Sequence, residues 1–316
     1  MKCLYGLLWL FFIILFHEVG HFIAAVICGV KVESFSLGIG PKIFHKTIKG
    51  TDFRISLFPL GGYCGLKGEK DFQKALEENV PEINGSKDSL YCIHPLKRAF
   101  IGFAGPFFNL IFAVTAYSII AGIGYTYYTY SNKILINENI TSSAAKEAGV
   151  LSGDTIIKIN NKDISDFSDL IEEISVRPDE DLLVTVLRNE HILTYTVHSE
   201  LDKETGTGKI GIAADTENII IKETEKYGFF GAVIEGLKET ANIIVLTLKS
   251  IGVLFKGVNI DNAVSGPARI TDMLGTTVKA GFSEGFKTGI ISLLSLMAGI
   301  SVSLFIMNLL PVPVLD

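Results

Sequence analysis

The sequence predicts a polytopic α-helical membrane protein with a membrane-dipping β-hairpin region and one α+β insert outside the bilayer. Three observations carry this fold class. The 316 residues are 48% hydrophobic, with a mean hydropathy of +0.40, high for a soluble chain. The apolar residues gather in runs near 4–30, 99–125 and 290–310, each close to the roughly 20 residues a membrane-crossing helix needs. Residues 131–227 have the composition of a soluble domain.

Residues 3–30 form the first expected span, ended by Gly29. A signal peptide is the weaker reading, because the run continues past residue 16 and lacks a small-residue cleavage site. From Lys31 to Gly68, short apolar pieces alternate with Gly and Pro. Phe53, Ile55 and Leu57 alternate with Arg54 and Ser56, the period of a half-buried strand. FPLGGYCGL (58–66) is too apolar for a solvent loop and predicts a hairpin dipping into the membrane. Residues 69–94 are a polar surface excursion, and a second span begins after Lys97 and Arg98.

That span meets YTYYTY (125–130), suited to the opposite interface. In the insert, SSAAKEAG reads as a short helix stopped by Gly149, and GDTIIKINNKDI as strand, Asn turn and extended piece. Asp166 caps a helix with Phe167, Leu170, Ile171 and Ile174 on one face. VTVLRNEHILTYTV predicts a hairpin around Arg188–His191, and GKIGIA a closing strand. Charges interrupt the apolar stretch 228–256, which reads as an amphipathic helix on the membrane surface. SGPARI (265–270) reads as a turn, and residues 288–310 as a third, uncharged span. The expected domains are therefore 1–130, 131–222, 223–284 and 285–316.

The net charge of −6 averages unlike regions. Residues 31–98 hold 11 Lys/Arg against 8 Asp/Glu, and residues 131–227 hold 10 against 19, so the first loop is the cytoplasmic one. No basic run suits a nucleic-acid surface. The four cysteines lack metal or redox spacing and read as unpaired thiols. GTGK (206–209) fails as a phosphate loop because Ile210 follows where Ser or Thr is needed. His45, His94, His191 and His198 are isolated.

The chemistry lies in HEVGH (17–21), three polar groups inside an apolar run. On a helix, His17 and His21 are four apart, share a face and can reach one ion. Zinc takes neutral imidazoles and, at catalytic sites, three protein ligands plus water. Glu18 stands where a carboxylate can take a proton from that water. Composition alone predicts roughly 0.007 such motifs in a chain of this make-up. No third ligand follows at the spacing of soluble zinc proteases, and the remaining candidate is Asp316, after the helix-ending Pro311 and Pro313.

HEVGH in the first span, AGPFFN (104–109) in the second and NLLPVPVLD (308–316) in the third resemble the site-2 protease family of intramembrane zinc metalloproteases, nearest its bacterial sigma-E-regulating branch. FPLGGY, SGPARI and SAAKEAGVLSGDTIIKINN, a PDZ-type signature, extend the resemblance over nearly the whole chain. It implies Zn²⁺ held by His17, His21 and Asp316, with Glu18 as general base. In the family the aspartate is followed by Gly and a fourth spanning helix, whereas this sequence ends at Asp316; residues 131–222 leave room for one PDZ-like domain where that branch has two.

The resemblance also implies a bacterial inner-membrane location, with the PDZ-like domain extracytoplasmic and the active site toward the cytoplasm. The expected partners are the lipid bilayer, transmembrane substrates such as anti-sigma-factor-like regulators or remnant signal peptides, and a peptide ligand of the PDZ-like domain. A buried helical amide must be unwound before attack, so an edge strand is needed to hold it. Phe53 and Ile55 with Gly61 and Gly62 are the expected edge, and Asn109 and Asn308 the expected substrate amides. The alternative is a non-catalytic PDZ-containing membrane adaptor with a structural metal; a base beside a ligand argues against it.

Overall fold

Among the described residues, three helices are long and apolar enough to cross a membrane by length and composition: Leu4–Cys28, Pro95–Ile123 and Phe286–Leu309. The computed structural model describes residues 2–79, 83, 85–136, 143–254 and 267–309. In chain order the elements are α1 (Lys2–Cys28), β1 (Val32–Ile48), β2 (Thr51–Leu66), α2 (Asp71–Glu77), α3 (Pro95–Ile123), β3 (Thr126–Tyr130), β4 (Ile134–Ile136), α4 (Ala144–Glu147), β5 (Thr155–Ile159) and β6 (Lys162–Asp163). Then follow α5 (Phe167–Ser175), β7 (Glu180–Arg188), β8 (His191–Leu201), β9 (Gly208–Lys209), β10 (Ile212–Ala214), β11 (Ile219–Glu223), α6 (Phe229–Leu254), α7 (Pro267–Glu284) and α8 (Phe286–Leu309). They divide into two compact units, Met1–Ile123 with Lys226–Ile244 and Gly266–Asp316, and Gly124–Glu225 with Val245–Ser265.

In the first unit, small residues let helices approach where side chains would hold them apart. A Cβ added to Gly20 would lie 2.4 Å from the Ala104 carbonyl oxygen, so α1 and α3 nearly touch at the HEVGH turn. Phe12 and Phe16 of α1 meet Phe112 of α3 edge-on at 6.0 and 5.4 Å. Ala24, Ala25, Val30, Val32, Ile101 and Ala104 form a buried cluster joining the end of α1, the start of β1 and α3. Gly236 of α6 crosses α3, since its added Cβ would lie 2.2 Å from Ser118 Oγ.

β1 and β2 are long strands that curl together. Ser34–Leu37 stand beside Gly62–Gly65 on one side and beside Asp52–Ile55 on the other, while Phe44–Thr47 also pair with Asp52–Ile55. FPLGGYCGL is therefore strand rather than a hairpin of its own, and the turn falls at Lys49–Gly50, both at positive φ. Four pleated segments result, with Asp52–Ile55 in the interior and Gly62–Leu66 at an edge. Phe53 consequently packs against Phe22 and Phe35. Phe53 and Ile55 are not the free edge expected of them, because their backbones are paired on both sides.

The second unit holds a five-stranded sheet in the order β6-β5-β7-β8-β9. Ile156, Ile159, Leu170, Leu182, Val184, Val186 and Val197 are completely buried in its core, each contributing about 1.5–3 kcal/mol relative to exposure. Asn160 turns β5 into β6 at φ 51°, and Asn189 and Glu190 turn β7 into β8 with φ of 47° and 67°. Asp166 caps α5 by accepting from the Ser168 and Asp169 N–H groups at 2.8 and 3.1 Å. A cavity of about 370 Å³ lies between α5 and Lys209–Ile212. GKIGIA is not the closing strand: β9 pairs with β8, β10 with β4, and β11 follows to pair with β3, which takes the tyrosine cluster into a ladder. Pro267 of SGPARI opens α7 instead of continuing a turn, a first-turn position where proline's missing N–H costs nothing.

Asp154, 1% exposed, is gripped by Arg188, which donates from Nε and Nη2 at 2.7 Å each. Burial pushes the carboxyl up, and the guanidinium more than offsets this, holding it below the ordinary carboxylate range. A depressed folded pKa gives stability that is complete above the unfolded value of about 3.9 and is lost as pH falls through the folded value. Asp154→Asn is expected to destabilise the second unit, because the partly exposed Arg188 guanidinium loses its charged partner while the buried position keeps only a neutral amide. It should also remove the part of acid destabilisation that falls below about pH 4. Hydrogen exchange of β5 and β7 in the full chain, followed against pH, checks both.

Candidate metal centre

The apolar face of α1 brings Ile13, His17, Gly20, His21 and Ala24 against α3, a 3–4 residue spacing that repeats on one side of a helix. His17 is 7% and Glu18 9% exposed. The two imidazoles converge: His17 Nε2 and His21 Nε2 are 3.1 Å apart. Two nitrogens at about 2.05 Å from one tetrahedral ion would be about 3.3 Å apart. The donor set and its spacing therefore fit zinc.

Each ring is held from behind. His21 Nδ1 donates to the Ile101 carbonyl oxygen of α3 at 2.9 Å, leaving the Nε2 lone pair directed at His17 in the neutral tautomer. His17 Nδ1 faces the Asn109 amide at 3.1 Å. Asn308 of α8 reaches His17 Nε2 from the opposite side, at 3.5 Å from its amide nitrogen.

Two positions that sequence reading passed over shape this pocket. Gly105 must lack a side chain, because its Cβ would lie 2.1 Å from His21 Nε2. Pro106 cannot donate to the carbonyl of Gly102, which loosens α3 next to Ile101, the oxygen that His21 uses. The Gly-Pro pair within AGPFFN was the available signal.

Glu18 turns toward the sheet. A Cβ on Gly62 would lie 3.0 Å from Glu18 Cγ and 3.2 Å from Ile14 Cγ2. Those residues are about 15–21 Å along α1 from Cys28 at 1.5 Å per residue. The Gly62–Leu66 edge thus runs beside the carboxylate, deep along an apolar helix. Gly61 meets Ile39, whose Cδ1 would be 2.8 Å from an added Cβ. Cys64 on this edge is half-buried.

Among the described residues no group of three His, Cys, Asp or Glu converges. Asp316, the expected third ligand, lies outside the described residues, as do Pro311 and Pro313. The structure thus brings together His17, Glu18, His21, Asn109, Asn308 and Gly62, and leaves Phe53 and Ile55 in an interior strand.

The peptidase family M50 model matches residues 5–316. Bacterial proteins provisionally named zinc metalloproteases align over most of the chain. That of Treponema pallidum is 33% identical over 100% of this chain and 89% of its own. That of Campylobacter jejuni is 34% identical over 96% and 78%, and that of Helicobacter pylori 34% over 98% and 85%. From Tyr5 to Asp316, across the HEVGH helix, the curled sheet and the last apolar helix, the chain belongs to peptidase family M50.

Proposed function

We propose that the chain is a zinc-dependent intramembrane endopeptidase of the site-2 type that cuts transmembrane segments of membrane proteins. The observation that carries this reading is the paired His17 and His21 nitrogens, 3.1 Å apart, on an apolar helix with Glu18 directed at a strand edge. His17, His21 and Asp316 hold the metal. When bound, zinc lowers the pKa of a coordinated water to about 7 and polarises the scissile carbonyl.

The chain's own groups do the rest. The Glu18 carboxylate accepts a proton from the attacking water and passes it to the leaving amide nitrogen. Its 9% exposure, beside apolar Ile14 and Gly62, keeps bulk water away from that transfer. The Gly62–Leu66 edge takes an unwound substrate strand into register by main-chain hydrogen bonds. Gly62 lets Glu18 pack directly against the backbone of this edge, since a Cβ there would lie 3.0 Å from Glu18 Cγ. The Asn308 amide steadies the developing oxyanion.

The family and the three apolar helices make this an integral membrane protein. The 11:8 basic excess of residues 31–98 supports a cytoplasmic first loop in a bacterial inner membrane, with the insert outside. The insert is PDZ-like in this reading. Its cavity beside α5 takes a peptide with an apolar end, given Leu170, Ile174 and Ile210 in its lining. Substrates are single-span proteins of the anti-sigma-factor or remnant signal-peptide kind, cut in regulated intramembrane proteolysis.

The test is cleavage of a single-span substrate by the full chain in lipid vesicles. Chelation should abolish cutting and zinc should restore it; cutting indifferent to chelation would end the zinc assignment. Gly62→Val is expected to reduce cleavage at least about 10-fold, equivalent to about 1.4 kcal/mol, with zinc content unchanged. Undiminished cleavage by that variant would remove the edge from the mechanism.

A further inference from the structure

We infer that Asn109 is a positioning residue for the metal, acting through His17, and not a substrate contact. This rests on the metal-centre reading above and deepens it. Asn109 is 0% exposed, so its amide is walled off from any chain laid along the Gly62–Leu66 edge. One end of that amide stands 3.1 Å from His17 Nδ1. The other end, assigned as Oδ1, is buried with no hydrogen-bond partner among the described residues. Such an orphan costs about 1–3 kcal/mol, and the amide bears it while its other end faces one imidazole.

The chemistry of the ring fixes which end must face it. For His17 Nε2 to offer a lone pair to an ion, the neutral ring must carry its proton on Nδ1. That N–H needs an acceptor, and Asn109 is the group there. Amide oxygen and nitrogen have the same shape, so their assignment is set by the network. The metal-holding arrangement is therefore the one in which Asn109 Oδ1 accepts from His17 Nδ1–H. The same logic operates on the second ring, where His21 Nδ1 donates to the Ile101 carbonyl at 2.9 Å. Both acceptors come from α3, just over two helical turns apart, and one helix thereby sets the tautomer and the tilt of both imidazoles. Metal-bound histidines are oriented in this way by acceptors behind the ring, and removing such a partner weakens metal affinity about 10–100-fold.

The experiment measures zinc affinity of the purified full chain by competition with a chromophoric chelator. Wild type, His17→Ala, Asn109→Leu and Asn109→Asp are compared. Asn109→Leu, matched in size but unable to accept, should bind zinc about 10–100-fold more weakly. Asn109→Asp, a fixed acceptor, should bind at least as tightly as wild type. A purely structural role for a buried amide predicts the reverse order, since leucine suits a buried site and a carboxylate does not. At saturating zinc, Asn109→Leu should keep the wild-type KM for a single-span substrate. A substrate contact would instead raise KM and leave zinc affinity unchanged. Zinc affinity of Asn109→Leu within twofold of wild type, or the reverse order of the two variants, would overturn the inference. Equal zinc binding by wild type and His17→Ala would instead overturn the metal-centre reading itself.

Discussion

Glu18→Gln is expected to lower kcat about 10²–10⁴-fold on a transmembrane substrate while leaving zinc content at the wild-type level. The change is isosteric and removes only the ability to accept a proton. His17 and His21, whose Nε2 atoms stand 3.1 Å apart, are untouched by it, as are their partners Asn109 and Ile101 on α3. Substrate binding at the Gly62–Leu66 edge should also persist, so KM should move little and the loss should fall on kcat. Metal analysis with single-turnover cleavage checks the split. Wild-type turnover in the glutamine variant would sink the general-base role. Loss of zinc in that variant would show that Glu18 acts as a ligand.

Gly105→Ala is expected to reduce activity about 100-fold or more, from a single added methyl group. In a helix interior this substitution ordinarily stabilises by roughly 0.5–1 kcal/mol. Here the new Cβ would lie 2.1 Å from His21 Nε2, far inside van der Waals contact distance, and 2.7 Å from Cδ2 and Cε1. The ring must swing away, and its Nδ1 then loses the Ile101 carbonyl. Gly102, three residues earlier on the same helix, is the internal control, because its added Cβ would meet nothing within 4 Å. Gly102→Ala should be neutral or slightly stabilising. Zinc content and cleavage of the two variants, side by side, separate the steric effect from helix propensity. Equal behaviour of the two would refute it.

Much of the architecture could be read without coordinates. Apolar run length placed the three candidate spans within a few residues of their helices, because a membrane-length helix is specified by composition more than by contacts. The insert's turns at Asn160 and Asn189 and the Asp166 cap follow from local backbone chemistry, which depends on two or three neighbouring residues. Where the reading failed, the deciding partner was distant in sequence. Phe53 and Ile55 alternate as an edge strand would, yet pairing with Phe35–Leu37 and Phe44–Lys46 puts them inside the sheet. GKIGIA looked like one strand because its split between β8 and β4 is a choice of neighbours. Pro267 opens a helix where SGPARI reads locally as a turn, because proline is equally at home in the first turn of a helix.

The same division runs through the site. The i, i+4 histidines and the adjacent glutamate of HEVGH determine, from the sequence by itself, a helix face with two imidazoles and a carboxylate 100° around from the first of them, since helical periodicity converts spacing into direction. What stands behind those rings was decided by tertiary structure alone. Gly105, 84 residues from His21, leaves its ring room; Ile101, 80 residues away, receives its proton; and Asn109, 92 residues from His17, faces the other ring. Short-range geometry is written in neighbouring residues, whereas the tautomer and tilt of an imidazole depend on the single acceptor that packing places behind it.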